Sequence, residues 1–168
     1  MSKALALLEF DSVATGVLAV DRMLKKSPVA LLRCGTVHPG RYLALVGGTV
    51  AATEEAHAEG LAVGKETTSL VDHVMLANPH PALKPGLVGD RREPAGDTLA
   101  ILEVSTSPAI LRAVDAVLKG VPVRLSKLRL ADDLGGRALA VLDGDLTDIQ
   151  EAVALANAIL APGGQMIA

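Results

Sequence analysis

Leu5-Ala6-Leu7-Leu8-Glu9 recurs as Leu99-Ala100-Ile101-Leu102-Glu103, at an offset of 94 residues. The same offset carries Ala19-Val20-Asp21 onto Ala113-Val114-Asp115, Leu24-Lys25 onto Leu118-Lys119 and Pro28-Val29 onto Pro122-Val123. Between Ala4 and Leu31, 12 of 28 positions are identical. A two-residue insertion then moves the offset to 96. Gly40-Arg41 now matches Gly136-Arg137, Leu43-Ala44 matches Leu139-Ala140, Gly48 matches Gly144 and Glu55-Ala56 matches Glu151-Ala152. Shared richness in Ala and Leu does not put charged, Gly and Pro residues in the same order at a nearly fixed distance. The chain is an internal duplication, and its fold is read one copy at a time.

Each copy opens with a short apolar strand, Ala4–Phe10 and Thr98–Val104. In the first copy a helix follows over about Ser12 to Lys26, with Val13, Val17, Leu18 and Leu24 at helical spacing as its apolar face. Ser12 suits its N-cap, and Lys25-Lys26 suit the negative end of the helix dipole. A second strand (Val29–Cys34; Val123–Leu130), a loop and a third strand (Tyr42–Val46; Ala138–Leu142) lead to a turn at Gly48 or Gly144. A second helix closes each copy, about Val50 to Ala62 and Asp148 to Leu160, and the first copy adds a strand over Leu70 to Leu76. Asn78 to Gly96, with four prolines and three glycines, reads as the linker, giving domains 1–90 and 91–168. The pattern predicts an α/β fold (an α+β sandwich) of two tandem βαββα(β) domains, each a sheet with helices packed on one face.

Composition narrows the function. The 168 residues and 17.2 kDa are half hydrophobic, with a mean hydropathy of +0.40, yet hold one Phe, one Tyr and no Trp. A core of Ala, Val, Leu and Ile is therefore expected, not a disordered chain. A net charge of −3 and the lack of stacking aromatics argue against nucleic acid. The single Cys34 excludes an internal disulfide framework and fits a cytoplasmic protein. The apolar start Ala4 to Leu8 is too short for a secretory signal. The uncharged run Ala152 to Ala168 contains Pro162, Gly163 and Gly164, so no membrane span is expected. So apolar a chain implies that some of its surface is buried by self-association.

The Leu-Leu-Glu opening, Asp-x-x-Leu-Lys at Asp21–Lys25 and Asp115–Lys119, and Gly-Arg-x-Leu-Ala at Gly40–Ala44 and Gly136–Ala140 resemble the bacterial microcompartment shell domain. Two copies in one chain resemble its tandem-domain class. Thr36-Val37-His38-Pro39-Gly40-Arg41 and Ala131-Asp132-Asp133-Leu134-Gly135-Gly136-Arg137 look most like the trimeric iron–sulfur shell proteins of propanediol-utilising microcompartments. The resemblance implies a structural function, not an enzyme: a homotrimeric, pseudohexameric tile that joins other shell proteins edge to edge in the cytoplasm and passes small metabolites through a central pore. It places the tile edges at Lys25 and Lys119. It places the pore lining at Val37, His38, Pro39 and Gly40 and at Asp132, Asp133, Leu134, Gly135 and Gly136.

His38 carries the sharpest chemistry. Three symmetry-related imidazoles could ring a pore, or hold a metal ion at a three-fold axis in a metal-binding or electron-transfer module. An iron–sulfur cluster is not carried over, because His38 stands where those proteins have a cysteine and clusters require thiolates. Cys34 is expected as a small core residue. His57, beside Glu54, Glu55 and Glu59, reads as part of a solvated face, with a metal cluster of these residues as the weaker alternative. Asp72 and His73 are strand neighbours that point to opposite faces, so they do not form a catalytic pair. Glu9 and Glu103 share a place in the first strands and hence a structural role. Gly47-Gly48 precedes a helix without the Gly-Lys-Ser/Thr of a phosphate loop.

Overall fold

A computed structural model describes residues 3–131 and 134–161. The chain divides into two compact units, Met1–Pro79 and His80–Ala168.

In the first unit the elements run β1 (Ala4–Phe10), α1 (Val13–Lys26), β2 (Ala30–Val37), β3 (Arg41–Gly48), α2 (Val50–Thr67) and β4 (Leu70–Ala77). The strands form one antiparallel sheet in the order β2-β3-β1-β4. Ser12 accepts the Thr15 N–H at 3.3 Å and Thr49 accepts the Ala52 N–H at 3.2 Å, so both helices start on hydroxyl caps. Ala6, Leu8 and Phe10 of β1 and Tyr42, Ala44 and Val46 of β3 make one sheet face. Ala19, Val20 and Met23 of α1 and Ala56 and Val63 of α2 pack on it. Both helices therefore lie on the same side of the sheet.

The face of α1 differs from expectation. Val13, Val17, Leu18 and Leu24 are 39–52% exposed, while Thr15, Gly16, Ala19, Val20 and Met23 are buried. Gly16 gives the reason. A Cβ there would lie 2.3 Å from the Tyr42 ring, so the helix meets the sheet along small residues that let its backbone approach. Cys34 is corrected too: it is exposed on β2 and not in the core. β2 is an edge strand of the sheet, and only its end, at Val37, is buried.

The second unit begins inside the expected linker. His80 to Gly96 belong to this unit, so residues 80–90 sit with the second copy and not the first. A short helix α3 (Leu83–Leu87) packs on β6, with Gly86 against Leu128 and Leu125. The duplicated elements are β5 (Thr98–Val104), α4 (Ser107–Gly120), β6 (Arg124–Arg129), β7 (Ala138–Gly144) and α5 (Leu146–Leu160). Thr106 accepts the Ala109 N–H at 3.3 Å and caps α4, as Ser12 caps α1. The sheet runs β5-β7-β6, so among the described residues it lacks the counterpart of β4. The second strands of both sheets shift register at matching places, Leu31/Arg33 and Leu125/Lys127.

Candidate functional site

Each unit presents the same apparatus at the turn between its second and third strands. In the first unit β2 ends at Val37, which is buried, and His38, Pro39 and Gly40 stand exposed at the hairpin tip. The His38–Pro39 peptide bond is cis, and Gly40 takes φ +67°, which a glycine adopts without strain. In the second unit the loop runs from β6 to β7. Leu134 is half-buried, Gly135 is exposed and Gly136 is buried, with φ +61° and +83° at the two glycines. The Arg137 N–H donates to the Leu134 carbonyl at 3.1 Å and closes the turn. Asp132 and Asp133 lie outside the described residues. The described residues of each set are thus gathered at one hairpin tip of their own unit.

Both loops end on an arginine clamped to the first strand. Arg41 Nη1 donates to Glu9 Oε1 at 2.5 Å, and Arg137 Nη1 to Glu103 Oε1 at 2.9 Å. The shared structural role expected of the two glutamates includes anchoring a loop arginine to the first strand. The Glu9 carboxylate is fully buried and Glu103 is 30% exposed.

Lys25 and Lys119 occupy the last turns of α1 and α4. Each amine reaches back one turn to an aspartate, Lys25 to Asp21 at 2.8 Å and Lys119 to Asp115 at 2.6 Å. Asp115 also accepts the His80 N–H at 2.7 Å. Both lysines keep their amines at the surface, with side chains 74% and 42% exposed.

Three further arrangements were not legible as such. His57 on α2 is half-buried and meets His73 on β4, with Nε2 and Nδ1 3.1 Å apart. Burial first, then the neighbouring His73, pushes the His57 pKa down to about 4. The solvated-face expectation for His57 is corrected, and Asp72 accepts the backbone N–H of His73. Asp143 is buried on β7 and gathers the Ala95 and Gly96 N–H groups, Arg124 and the Ser126 hydroxyl. Burial raises its pKa, but those donors outweigh burial and hold it near 2. Tyr42 is pushed up to about 12 by burial and by the Cys34 thiol. For Asp143 the sequence held one signal, a single Asp where the first copy has Gly47. For the two histidines, 16 residues apart on different elements, it held none.

No three His, Cys, Asp or Glu among the described residues are grouped as metal ligands, and no described helix is long and apolar enough to cross a membrane. The β2–β3 and β6–β7 loops, their Glu–Arg clamps and the Asp–Lys pairs are what the duplication has preserved.

The model of the BMC domain matches residues 4–79 and again 98–168. The chain is 35% identical to the bacterial microcompartment shell protein PduT of Citrobacter freundii, over 94% of this chain and 84% of that one. It is 31% identical to the shell protein EutK of Salmonella typhimurium, over 72% and 73%. A crystal structure of a microcompartments protein from Desulfitobacterium hafniense superposes with a TM-score of 0.84 at 27% identity, covering 100% of this chain and 92% of that one. The fused permuted hexameric shell protein MSM0275 of the RMM microcompartment shares the fold, with a TM-score of 0.66 at 18% identity and coverage of 94% and 81%. With both copies matched and a PduT-type relative aligned along nearly the whole chain, the protein belongs to the BMC-domain family, as a tandem-domain bacterial microcompartment shell protein.

Proposed function

We propose that three chains assemble into a pseudohexameric tile whose central pore passes small metabolites, and that the tile acts by packing and conduction rather than by catalysis. The observation that carries this is the duplicated apparatus. One chain supplies two hairpin-tip loops on Glu–Arg clamps and two Asp–Lys helix ends at matching places. A ring of three such chains alternates the two loops around its axis. Val37, His38, Pro39 and Gly40 would line the pore together with Asp132, Asp133, Leu134, Gly135 and Gly136. Lys25 and Lys119 would sit at the tile edge, where an amine at a helix C-terminus can reach carbonyls of the next tile. Other shell proteins would occupy those edges within a cytoplasmic shell.

A second feature supports self-association. On β5, Leu99 and Ile101 are 51% and 57% exposed, whereas their counterparts Leu5 and Leu7 are 3% and 1% exposed. Covering those two side chains with a neighbouring copy removes apolar surface from water, which is the main driving force for association.

Iron–sulfur chemistry does not fit the donors present. His38 offers imidazole, and the lone Cys34 is on β2, where its thiol interacts with Tyr42. A three-His metal site at the axis is the alternative, favoured only by the exposure of His38 at its loop tip.

Native mass spectrometry separates these readings. A mass near three times 17.2 kDa without added mass supports the conducting tile. A trimer carrying one metal that is lost in His38→Ala supports the metal module. A monomer or dimer overturns both. In the same assay Lys25→Asp with Lys119→Asp should leave trimers intact while sheets disappear in electron micrographs. Loss of the trimer would remove the two lysines from the tile edge.

A further inference from the structure

We propose that His57 and His73 form a two-imidazole binding site for a borderline divalent cation of the Cu(II), Ni(II) or Zn(II) class, with water completing its coordination. This site is separate from the pore loops and does not depend on the tile reading.

Geometry comes first. A cation with metal–nitrogen bonds of 2.0–2.1 Å holds two neighbouring nitrogen ligands about 2.9–3.4 Å apart, in square-planar or tetrahedral arrangement. His57 Nε2 and His73 Nδ1 are 3.1 Å apart, and the rings are tilted by 50° with centroids 5.0 Å apart. Without metal, one proton lies between these nitrogens. A cation would bind both lone pairs once the bridging proton moves to the other nitrogen of its own ring, so that each imidazole stays neutral.

The two ligands stand on rigid elements rather than on a loop. His73 is paired with Leu8 in the β1–β4 register, and Leu8 belongs to the core that α2 covers. The side chains of paired residues in a sheet project to the same face, so His73 projects toward α2. The helix is fixed there by glycines. A Cβ at Gly60 would lie 2.8 Å from Leu8 and Met23, and one at Gly64 would lie 2.7 Å from Leu70. One turn of α2 thus sits close on the sheet, directly after His57. Ligands held this way lose little freedom on binding metal.

The surroundings suit a cation. Both histidines are half-buried, which leaves room for entry and for water ligands. Glu54 lies one turn before His57, and Glu59 two residues after it. Asp72 precedes His73, with its carboxylate on the His73 N–H. The charged residues beside the pair on α2 and β4 are therefore carboxylates. Imidazole selects this class over Mg or Ca, which take oxygen ligands.

The test is titration of the full chain with Ni(II) by calorimetry, beside His57→Gln, His73→Gln and His38→Gln. Expected is one Ni(II) per chain, weakened about tenfold or more in each of the first two variants and unchanged in His38→Gln. Nitrogen NMR of the wild-type imidazoles with Zn(II) reads the same site without any substitution, and the signals of His57 and His73 should move together. Unchanged affinity in both variants, loss in His38→Gln alone, or imidazole signals that do not move would leave His57 and His73 as a hydrogen-bonded pair only and overturn the site.

Discussion

The two units of this chain use the same parts under different conditions of burial. In the first, β1 is flanked on both sides, and Glu9 is closed off from water against Arg41. In the second, β5 has one neighbour among the described residues, and Glu103 meets Arg137 at the surface. A buried ion pair and an exposed one of the same sequence origin have very different energetics. Desolvation makes the first costly to break, and solvent screening makes the second weak. What the duplication kept is therefore geometry, the tie between a loop and its strand, rather than a fixed amount of stability.

Breaking each pair should give the largest contrast. Glu9→Ala leaves Arg41 beside an uncompensated interior and is expected to cost roughly 3–5 kcal/mol in denaturant unfolding. Glu103→Ala should cost less than about 1 kcal/mol. Equal losses would mean that the Glu103 pair is also covered in solution, as a neighbouring copy over Leu99 and Ile101 would cause.

A second contrast lies between helix and sheet. Gly16 on α1 faces Tyr42 on β3. Their counterparts are Ile110 on α4 and Ala138 on β7, both fully buried. Large and small have changed places between the two copies. Gly16→Ala should cost about 1–3 kcal/mol through overpacking against the ring. Ile110→Ala should cost about 2–5 kcal/mol through the cavity it leaves. The paired change Gly16→Ile with Tyr42→Ala should recover part of the loss of either single change, measured as a double-mutant cycle. Strict additivity would dissolve the exchange.

The effect narrowest in its conditions is a pH dependence confined to the second unit. Asp143 titrates near 2 instead of 3.8, so its stabilising contribution is complete above 3.8 and is lost as pH falls toward 2. The span corresponds to about 2 kcal/mol. Asp143→Asn should flatten the acid limb of the stability curve over that window. The first copy has Gly47 at this position, and substitutions around it should leave the acid limb unchanged.

The same comparison explains what could be read from sequence. Order and type of the duplicated elements were legible, because each is a local pattern confirmed by its repeat, and so were the Asp–Lys helix ends. The packed face of α1 was not. Apolar residues occupy more than one side of it, and the choice was made by Gly16 and Tyr42, which are far apart in sequence. Cys34 was misplaced because its strand was read by composition, while the place of that strand at the sheet edge decides its exposure. Helix α3 hides in a segment with many prolines and glycines, since its packing on Leu125 and Leu128 outweighs propensity. His57 with His73 and the donors around Asp143 are tertiary meetings, and no spacing rule announces them.

One consequence follows from the matched clamps beneath unmatched loops. A homo-oligomer of single domains repeats every pore substitution at each position around its ring, so no residue there can change alone. Here His38-Pro39 and Asp132-Asp133 stand at equivalent places in one gene, and each can mutate without the other. Fusion lowers the symmetry that selection must respect. In the proposed tile, a polar, basic or metal-binding side chain can enter one loop while the other keeps the aperture, which opens a wider set of pores than a ring of identical single domains allows.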